Sequence, residues 1–189
     1  MAEEKVMFAR TPRLLLRPGF PEDAPALASA IADRAIAHNL ANVPWPYGMR
    51  DAEAFLASPR DPVLPSLLIF ERGLSAPQLV GACGLGRRPS GSVELGYWIA
   101  RSFWGQGYAT EACGALVEIA RALGLASLEG SHFVDNPASA RVLEKLGFEP
   151  LGIIAPRMSC ARGTEVPARL MRLQLQAGAI EEKDEALAA

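Results

Sequence analysis

The amino-acid sequence predicts an α+β domain in which helices flank one mixed, mostly antiparallel sheet. Short apolar runs separated by turn residues recur along the chain, and helical patterns interrupt them at a few points. With 50% apolar and 21% charged residues, the 189-residue chain is long enough to bury one core. We expect a single domain over residues 10–175 and a disordered tail over residues 176–189.

Turn residues and apolar periodicity define each element in order. Pro18 and Gly19 end the first strand, two prolines keep the loop around Trp45 irregular, and Gly124 stops the longest amphipathic helix. The expected elements are a strand at 13–17, a helix at 21–31, a helical piece to 40, a loop at 42–48, a helix at 51–56, a hairpin at 66–71 and 78–85, a strand at 91–100, a helix at 108–123, a strand at 128–134, a helix from 136, and strands at 148–154 and 168–175.

Composition and charge exclude several classes of function. The net charge of −2 and the lack of a basic patch argue against direct binding of nucleic acid. Cys83, Cys113 and Cys160 form no CxxC pair, which indicates reduced thiols in a cytoplasmic protein. His38 and His132 are too far apart in sequence to suggest a metal site. No apolar run has transmembrane length and no apolar leader is visible, so we expect no membrane partner.

A glycine turn forms the clearest functional motif. Gly105 and Gly107 lie between an apolar strand and the start of a helix. A strand, a tight turn and a helix N-terminus direct several backbone N–H groups at one point, and the helix dipole adds positive potential there. The absence of a Cβ lets the backbone approach an anion closely. The segment therefore predicts a phosphate or pyrophosphate site.

Other interpretations of the two glycines compete. A P-loop requires Lys followed by Ser or Thr after the second glycine, whereas Tyr108 and Ala109 follow here. A dinucleotide fingerprint requires Gly or Ala where Thr110 stands, and it belongs early in a βαβ unit. The pyrophosphate loop of acyl-CoA-dependent N-acetyltransferases fits the pattern. A glycine turn without any ligand also remains open.

A second motif supplies a short, well-capped helix. Asn136 suits the N-cap, Pro137 the first helical position and Gly147 the position after the C-cap. Val142, Leu143 and Leu146 form its apolar stripe.

Together the two motifs resemble the GNAT superfamily of N-acetyltransferases. They are WGQGYATEA at residues 104–112 and NPASARVLEKLGF at residues 136–148. The segments TPRLLLRP, VPWPYGMRDAEAFL and VELGYWIARSFWGQGYATEA also resemble the branch that acetylates the N-termini of ribosomal proteins on alanine or serine. The resemblance covers residues 10–175 and implies the GNAT fold, in which two central strands, here 91–100 and 128–134, splay apart to admit pantetheine.

The resemblance implies a set of residues that bind the cosubstrate acetyl-CoA, with no metal. Backbone groups of the loop would hold the pyrophosphate, and the preceding strand would pair with pantetheine amides. The family usually has Gln or Arg at the position of Ser102, and the neighbouring Arg101 is a candidate to compensate. The implied CoA-binding residues are Trp98, Ile99, Ala100, Trp104, Gly105, Gln106, Gly107, Tyr108, Ala109, Asn136 and Ser139.

Glu94 is the candidate general base. Strand alternation places Glu94, Gly96 and Trp98 on one face, opposite Leu95 and its apolar neighbours. The resembling branch carries a glutamate at this position and uses it, directly or through water, to deprotonate the amine. A substrate-orienting or solvent-facing carboxylate is the alternative.

Ser139 is the candidate proton donor. Many superfamily members place a tyrosine acid at the position of Leu143, which cannot donate a proton. The resembling branch instead uses a serine at the position of Ser139, beside a pantetheine-binding Asn136. An idle first-turn hydroxyl and a purely capping asparagine are the alternatives.

The acceptor is the least defined part of the prediction. Trp45 and Tyr47 match the region that walls the acceptor pocket in the resembling branch, although a purely structural proline-aromatic loop is the favoured explanation. We expect a monomeric or homodimeric N-acetyltransferase whose acceptor is an amine-bearing small molecule or a protein N-terminus. Direct attack in a ternary complex is expected, because Cys113 lies inside a helix. A CoA-binding module with impaired catalysis is the alternative function.

Overall fold

The computed structural model describes residues 7–73 and 77–175. The expected disorder of residues 176–189 lies outside the described residues. The eight strands are β1 (Ala9–Arg10), β2 (Leu14–Arg17), β3 (Ser66–Glu71), β4 (Gln78–Arg87), β5 (Val93–Ile99), β6 (Ser127–Phe133), β7 (Glu149–Ser159) and β8 (Thr164–Gln174). The α-helices of the described residues are α1 (Ala24–Ile31), α2 (Arg34–Ala37), α3 (Met49–Ala57), α4 (Tyr108–Ala122) and α5 (Pro137–Lys145), and short 3-10 helices lie at Pro21–Asp23 and Arg101–Phe103. Within the described ranges no helix is both long and apolar enough to cross a membrane.

The strands form one sheet in the order β1-β2-β3-β4-β5-β6-β8-β7. The β5–β6 pair is parallel, whereas the other neighbours pair antiparallel. This parallel pair has a single register position, Glu94 opposite Glu129, after which the two strands diverge. The sheet is therefore mixed and split at its centre, which confirms the predicted fold class.

Two apolar layers cover the two faces of the sheet. On one face α4 and α5 pack through fully buried side chains such as Leu116 and Leu143. On the other face α1 and α3 pack through Leu27 and Leu56. Strand β5 contributes Leu95 to the first layer and Trp98 to the second. The predicted alternation of this strand is therefore correct, and it separates the two sides of the split.

Most expected elements are present, and the differences have local causes. The strand β1 was not expected, since it has only two residues. Strands β7 and β8 form a longer hairpin than predicted, with Pro156 and Pro167 opposite each other. Proline argues against a continuing strand when only the sequence is read. Here Pro156 lies on the edge strand β7, and Pro167 lies one residue beyond the β6–β8 pairing. This hairpin brings the Arg157 side chain to Glu94 on β5.

The packing of β4 against β5 leads to a stability prediction. A Cβ at Gly81 would lie 2.1 Å from the carbonyl oxygen of Trp98. We expect Gly81→Ala to lower the free energy of unfolding by about 1–3 kcal/mol, the usual cost of overpacking. Gly86→Ala is the matched control, because nothing lies within 4 Å of its added Cβ. Chemical denaturation of both variants checks this, and equal midpoints would contradict it.

Candidate active site

The split edge of β5 presents backbone groups that have no strand partner in residues 7–73 and 77–175. The N–H of Ala100 donates to the carbonyl of Val80 on β4 at 2.7 Å. Antiparallel pairing alternates, so the N–H and C=O of Ile99 and Tyr97 point toward the split. The carbonyl of Ile99 accepts from Trp104 Nε1 at 2.6 Å. Of the three strand residues expected to meet pantetheine, Ile99 thus directs its N–H into the split, whereas Trp98 and Ala100 bond toward β4.

The glycine turn presents an array of free N–H donors. Gly105 and Gly107 have φ values of 77° and 82°, a conformation that favours glycine. Within the part of the chain that the structure describes, none of the backbone N–H groups of residues 105–110 has an acceptor. These groups surround the N-terminus of α4, where the helix dipole is positive. The turn can therefore hold a pyrophosphate without a side-chain cation.

A clamp from the N-terminal strands fixes this turn, and the sequence did not predict it. Arg13 donates through Nη1 to the carbonyl of Gln106 at 3.0 Å and through Nε to Glu111 at 2.6 Å. Thr11 also donates to Glu111, at 2.6 Å. Burial alone would raise the pKa of Glu111, but the hydrogen bonds from Thr11 and Arg13 lower it overall. The carboxylate thus anchors the turn to the sheet.

Arg101 does not simply replace the Gln or Arg side chain that the family usually has at the position of Ser102. Its guanidinium lies over the Trp104 ring, 4.3 Å from the centroid. The Ser102 carbonyl accepts from Gln106 Nε2 at 3.0 Å. The side chains of Arg101 and Gln106 therefore brace the turn, and Arg101 is an exposed cation beside it.

The start of α5 organises the Ser139 hydroxyl. Asn136 Oδ1 accepts the N–H of Ser139 at 3.2 Å, and Asn136 Nδ2 donates to Ser139 Oγ at 3.0 Å. Because Oγ accepts this bond, its own proton is free for another acceptor. Leu143 is 1% exposed and packs in the core, so no donor stands at that helix position.

The sequence did not predict a role in the site for two polar side chains on the α4–α5 side of the cleft, Tyr97 and His132. The buried hydroxyl of Tyr97 has no hydrogen-bond partner among the described residues, although Ser139 is its neighbour. Burial raises the pKa of Tyr97 far above its ordinary value, against a smaller opposing effect of the Ser139 hydroxyl. His132 Nδ1 contacts the carbonyl of Phe133 at 2.9 Å, so Nδ1 carries the proton. Its Nε2 is buried and has no hydrogen-bond partner in the described ranges.

Glu94 lies on the face of β5 opposite Tyr97, and several side chains pair with its carboxylate. Its Oε1 accepts from Ser131 Oγ at 2.7 Å and from Arg157 Nη1 at 2.9 Å. Its Oε2 lies 3.1 Å from the same Arg157 nitrogen and 2.9 Å from Arg88 Nη1. The side chain is 17% exposed. A carboxylate has about four lone-pair positions, so an amine reaches Glu94 by displacing one partner or through water.

Glu94, Tyr97, His132 and Ser139 line one cleft of about 680 Å³ that runs through the split. Tyr47 lines it, whereas Trp45 is 39% exposed and lies outside the lining. Burial and the charge of Asp51 raise the pKa of Tyr47 to about 12, so this hydroxyl stays neutral. The cleft volume falls in the range of about 300–1,000 Å³ that is typical of small-molecule sites.

The wall of the cleft beyond Tyr47 is tied to the β7–β8 hairpin. Ala41 accepts from the N–H of Cys160 at 2.9 Å, and Leu40 accepts from Ser159 Oγ at 3.2 Å. Arg162 Nε donates to the carbonyl of His38 at 2.7 Å. These bonds hold the segment after α2, whose residues 39–41 line the cleft, against the hairpin at the edge of the sheet.

Cys113 cannot serve as a nucleophile in this conformation. It is 0% exposed inside α4. Burial raises the pKa of its thiol well above the ordinary value, and Cys83 adds to the effect. The thiolate that nucleophilic attack requires is therefore disfavoured.

Comparison with known proteins defines the family. A family model described as an acetyltransferase (GNAT) domain matches residues 13–149. The chain belongs to the GNAT acetyltransferases. The match spans the glycine turn, both strands of the split and α5, and it ends at the start of β7. The predicted superfamily is therefore confirmed.

Relatives of this GNAT protein include two from Bacillus. An uncharacterized N-acetyltransferase of Bacillus subtilis (strain 168), YoaA, is 27% identical over 159 residues, 78% of this chain and 86% of the relative. The uncharacterized N-acetyltransferase p20 of Bacillus licheniformis is 30% identical over 80 residues, 41% of this chain and 45% of the relative. The second alignment thus spans less than half of its relative.

A solved structure shares the whole architecture. The ribosomal L7/L12 α-N-protein acetyltransferase RimL, in complex with coenzyme A, superimposes with a TM-score of 0.75 at 19% identity. The superposition covers 90% of this chain and 99% of that chain. This likeness supports the GNAT fold of the whole domain, including the β7–β8 hairpin beyond the matched residues.

Proposed function

We propose that this GNAT protein transfers the acetyl group of acetyl-CoA to a primary amine by direct attack in a ternary complex. One observation carries the proposal: the free N–H groups of residues 105–110 lie a few residues beyond the split strand β5, whose residues 94–98 line a cleft. This arrangement fits an extended molecule with a pyrophosphate at one end and a reactive thioester at the other. The proposed acceptor is a small-molecule amine or a protein N-terminus, and RimL by its name acts on the latter.

The free N–H donors fit the cosubstrate chemically. The turn offers hydrogen bonds to a doubly charged pyrophosphate, and its dipole adds to the attraction. The N–H of Ile99 would pair with a pantetheine amide as an added strand would. When bound, acetyl-CoA supplies an activated acyl group, and the protein has to orient the amine and manage two protons.

Glu94 and Ser139 would manage these protons from opposite sides of the split. The amine nitrogen forms the new bond to the carbonyl carbon as the carbon–sulfur bond breaks. Glu94 takes the proton lost by the amine, directly or through a water that reaches its paired oxygens. Ser139 gives its free proton to the leaving sulfur and regains one from solvent.

The Ser139 role predicts a moderate kinetic defect. Ser139→Ala removes a donor that acts late in the reaction, so kcat and kcat/KM should fall together. We expect a fall of about tenfold, the equivalent of one hydrogen bond of about 1.4 kcal/mol. Ser127→Ala, on β6 but outside the cleft lining, is the control. Wild-type kcat in Ser139→Ala at saturating acetyl-CoA would mean that solvent protonates the sulfur.

A CoA-binding module with impaired catalysis is the second candidate. The paired oxygens of Glu94 favour it, because a base whose lone pairs are all occupied is a poor proton acceptor. Thiol release from acetyl-CoA with a panel of primary amines separates the two candidates. Transferase activity requires release that depends on the amine, and a binding module gives none.

A further inference from the structure

Arg157 is a nearly buried cation with unused hydrogen-bond donors. Its side chain is 14% exposed, and it contacts Glu94 through Nη1 alone. Among residues 7–73 and 77–175, no hydrogen-bond acceptor reaches its Nε or Nη2. A guanidinium carries five N–H donors, and a buried charge is normally paired and hydrogen-bonded. Arg157 lines the cleft, so its free donors are available to a ligand there.

The charge around Arg157 is also unbalanced. Arg157 and Arg88 both pair with the single carboxylate of Glu94. The next carboxylate, Glu129, pairs with Arg172 at 3.0 Å, and the remaining arginine of the lining, Arg87, pairs with Asp61 at 3.1 Å. Among the residues that the structure describes, this end of the cleft therefore has one positive charge in excess, beside one carboxylate.

The unused donors of Arg157 and the excess positive charge lie beside Glu94, the proposed base, where the amine of the acceptor has to react. The remaining carboxylate of the lining, Asp51, caps α3 by accepting from the N–H of Gly48 at 2.8 Å, so it does not balance Arg157. We propose that the acceptor is a small amine with a carboxylate close to the amino group, as in a free amino acid. Arg157 binds the carboxylate through Nε and Nη2, and Glu94 faces the amine. This inference rests on the proposed function.

The braced wall of the cleft favours a small acceptor over a polypeptide. The bonds from Cys160 and Arg162 hold the segment after α2, which lines the cleft, against the β7–β8 hairpin. A free amino acid fits inside such a wall and places both charged groups within reach of adjacent side chains. Arg157 is then a specificity-determining residue of the acceptor site.

Paired acceptors test this inference. Thiol release from acetyl-CoA is measured with the free L-amino acids and with their C-terminal amides, which differ only in the carboxylate. Amidation lowers the pKa of the amine and raises its neutral fraction, so reactivity alone favours the amides. We expect the wild-type protein to reverse that order, with kcat/KM about tenfold higher or more for the best acid than for its amide.

Two variants assign the preference to Arg157. Arg157→Gln should lose the preference for the acid, mainly through a higher KM for the acid. Arg172→Gln is the matched control, because Arg172 also pairs with a sheet carboxylate but does not line the cleft. It should keep the preference. An acid-to-amide ratio that is the same in Arg157→Gln and wild type would overturn the proposal.

Other outcomes separate this inference from the proposed function. If wild type acetylates amides or peptides as well as free amino acids, the acceptor is not selected by its carboxylate and the inference is wrong, although the transferase function stands. If calorimetry on the same preparation detects no acetyl-CoA binding, both are wrong. Mass spectrometry of the products identifies which amine carries the acetyl group.

Discussion

Acetyl-CoA should no longer stabilise a Gly107→Glu variant against thermal unfolding. A ligand at about 100 times its Kd adds about 2.7 kcal/mol to the stability of a protein that binds it only when folded. A carboxylate at this position would stand among the free N–H groups, where it repels a pyrophosphate and competes for its donors. Melting curves with and without acetyl-CoA measure the loss.

The control for this prediction has to reproduce the backbone strain. Gly107 has a φ of 82°, so any side chain there costs stability by itself, about 1–2 kcal/mol. Gly124, at the other end of α4, has a φ of 72° and open space around its Cβ. Gly124→Glu should melt at a similarly lowered temperature and still be stabilised by acetyl-CoA. Equal stabilisation of both variants would mean that the turn is not the anion site.

Glu94→Gln should lower kcat by about 10²-fold, the lower end of what general acid–base catalysis contributes. The amide keeps the size of the side chain and can no longer take a proton from the amine. Acetyl-CoA affinity should be unchanged, because Glu94 lies near the start of β5, whereas the glycine turn follows the end of that strand. A pH–rate profile of wild type should also show an acidic limb that the variant lacks.

Glu129→Gln is the control for Glu94. Glu129 lies opposite Glu94 in the β5–β6 pair, and it likewise binds a serine and an arginine, Ser92 and Arg172. It does not line the cleft. We expect it to keep wild-type kcat. If both variants retain full kcat and the same acidic limb, Glu94 is a structural carboxylate and the base lies elsewhere.

Local motifs made the fold and the glycine turn predictable. Gly105 and Gly107 form the predicted tight turn, and Asn136 caps α5 as its position before Pro137 suggested. Each of these features depends on residues a few positions apart. Strand alternation likewise placed Glu94 on the correct face, because a period of two is fixed by backbone geometry.

The partners of the site residues could not be predicted, because they are distant in sequence. The Arg13–Glu111 clamp joins residues 98 positions apart, and Arg157 reaches Glu94 across 63 positions. No pattern in one sequence connects such residues. Tyr97 was a different case, since its ring packs in the apolar layer as expected while its hydroxyl remains unpaired in the described part of the chain.

Titration of the unaltered protein with acetyl-CoA tests the central claim most directly, because the proposed function assigns the binding of that molecule to the turn, the split and the cleft. Calorimetry should give saturable binding of one acetyl-CoA per chain, and free CoA should compete for the same site. Affinity should fall with increasing salt, since the turn binds a charged pyrophosphate. A folded preparation that produces no saturable heat with acetyl-CoA, and no competition by CoA, would contradict the account.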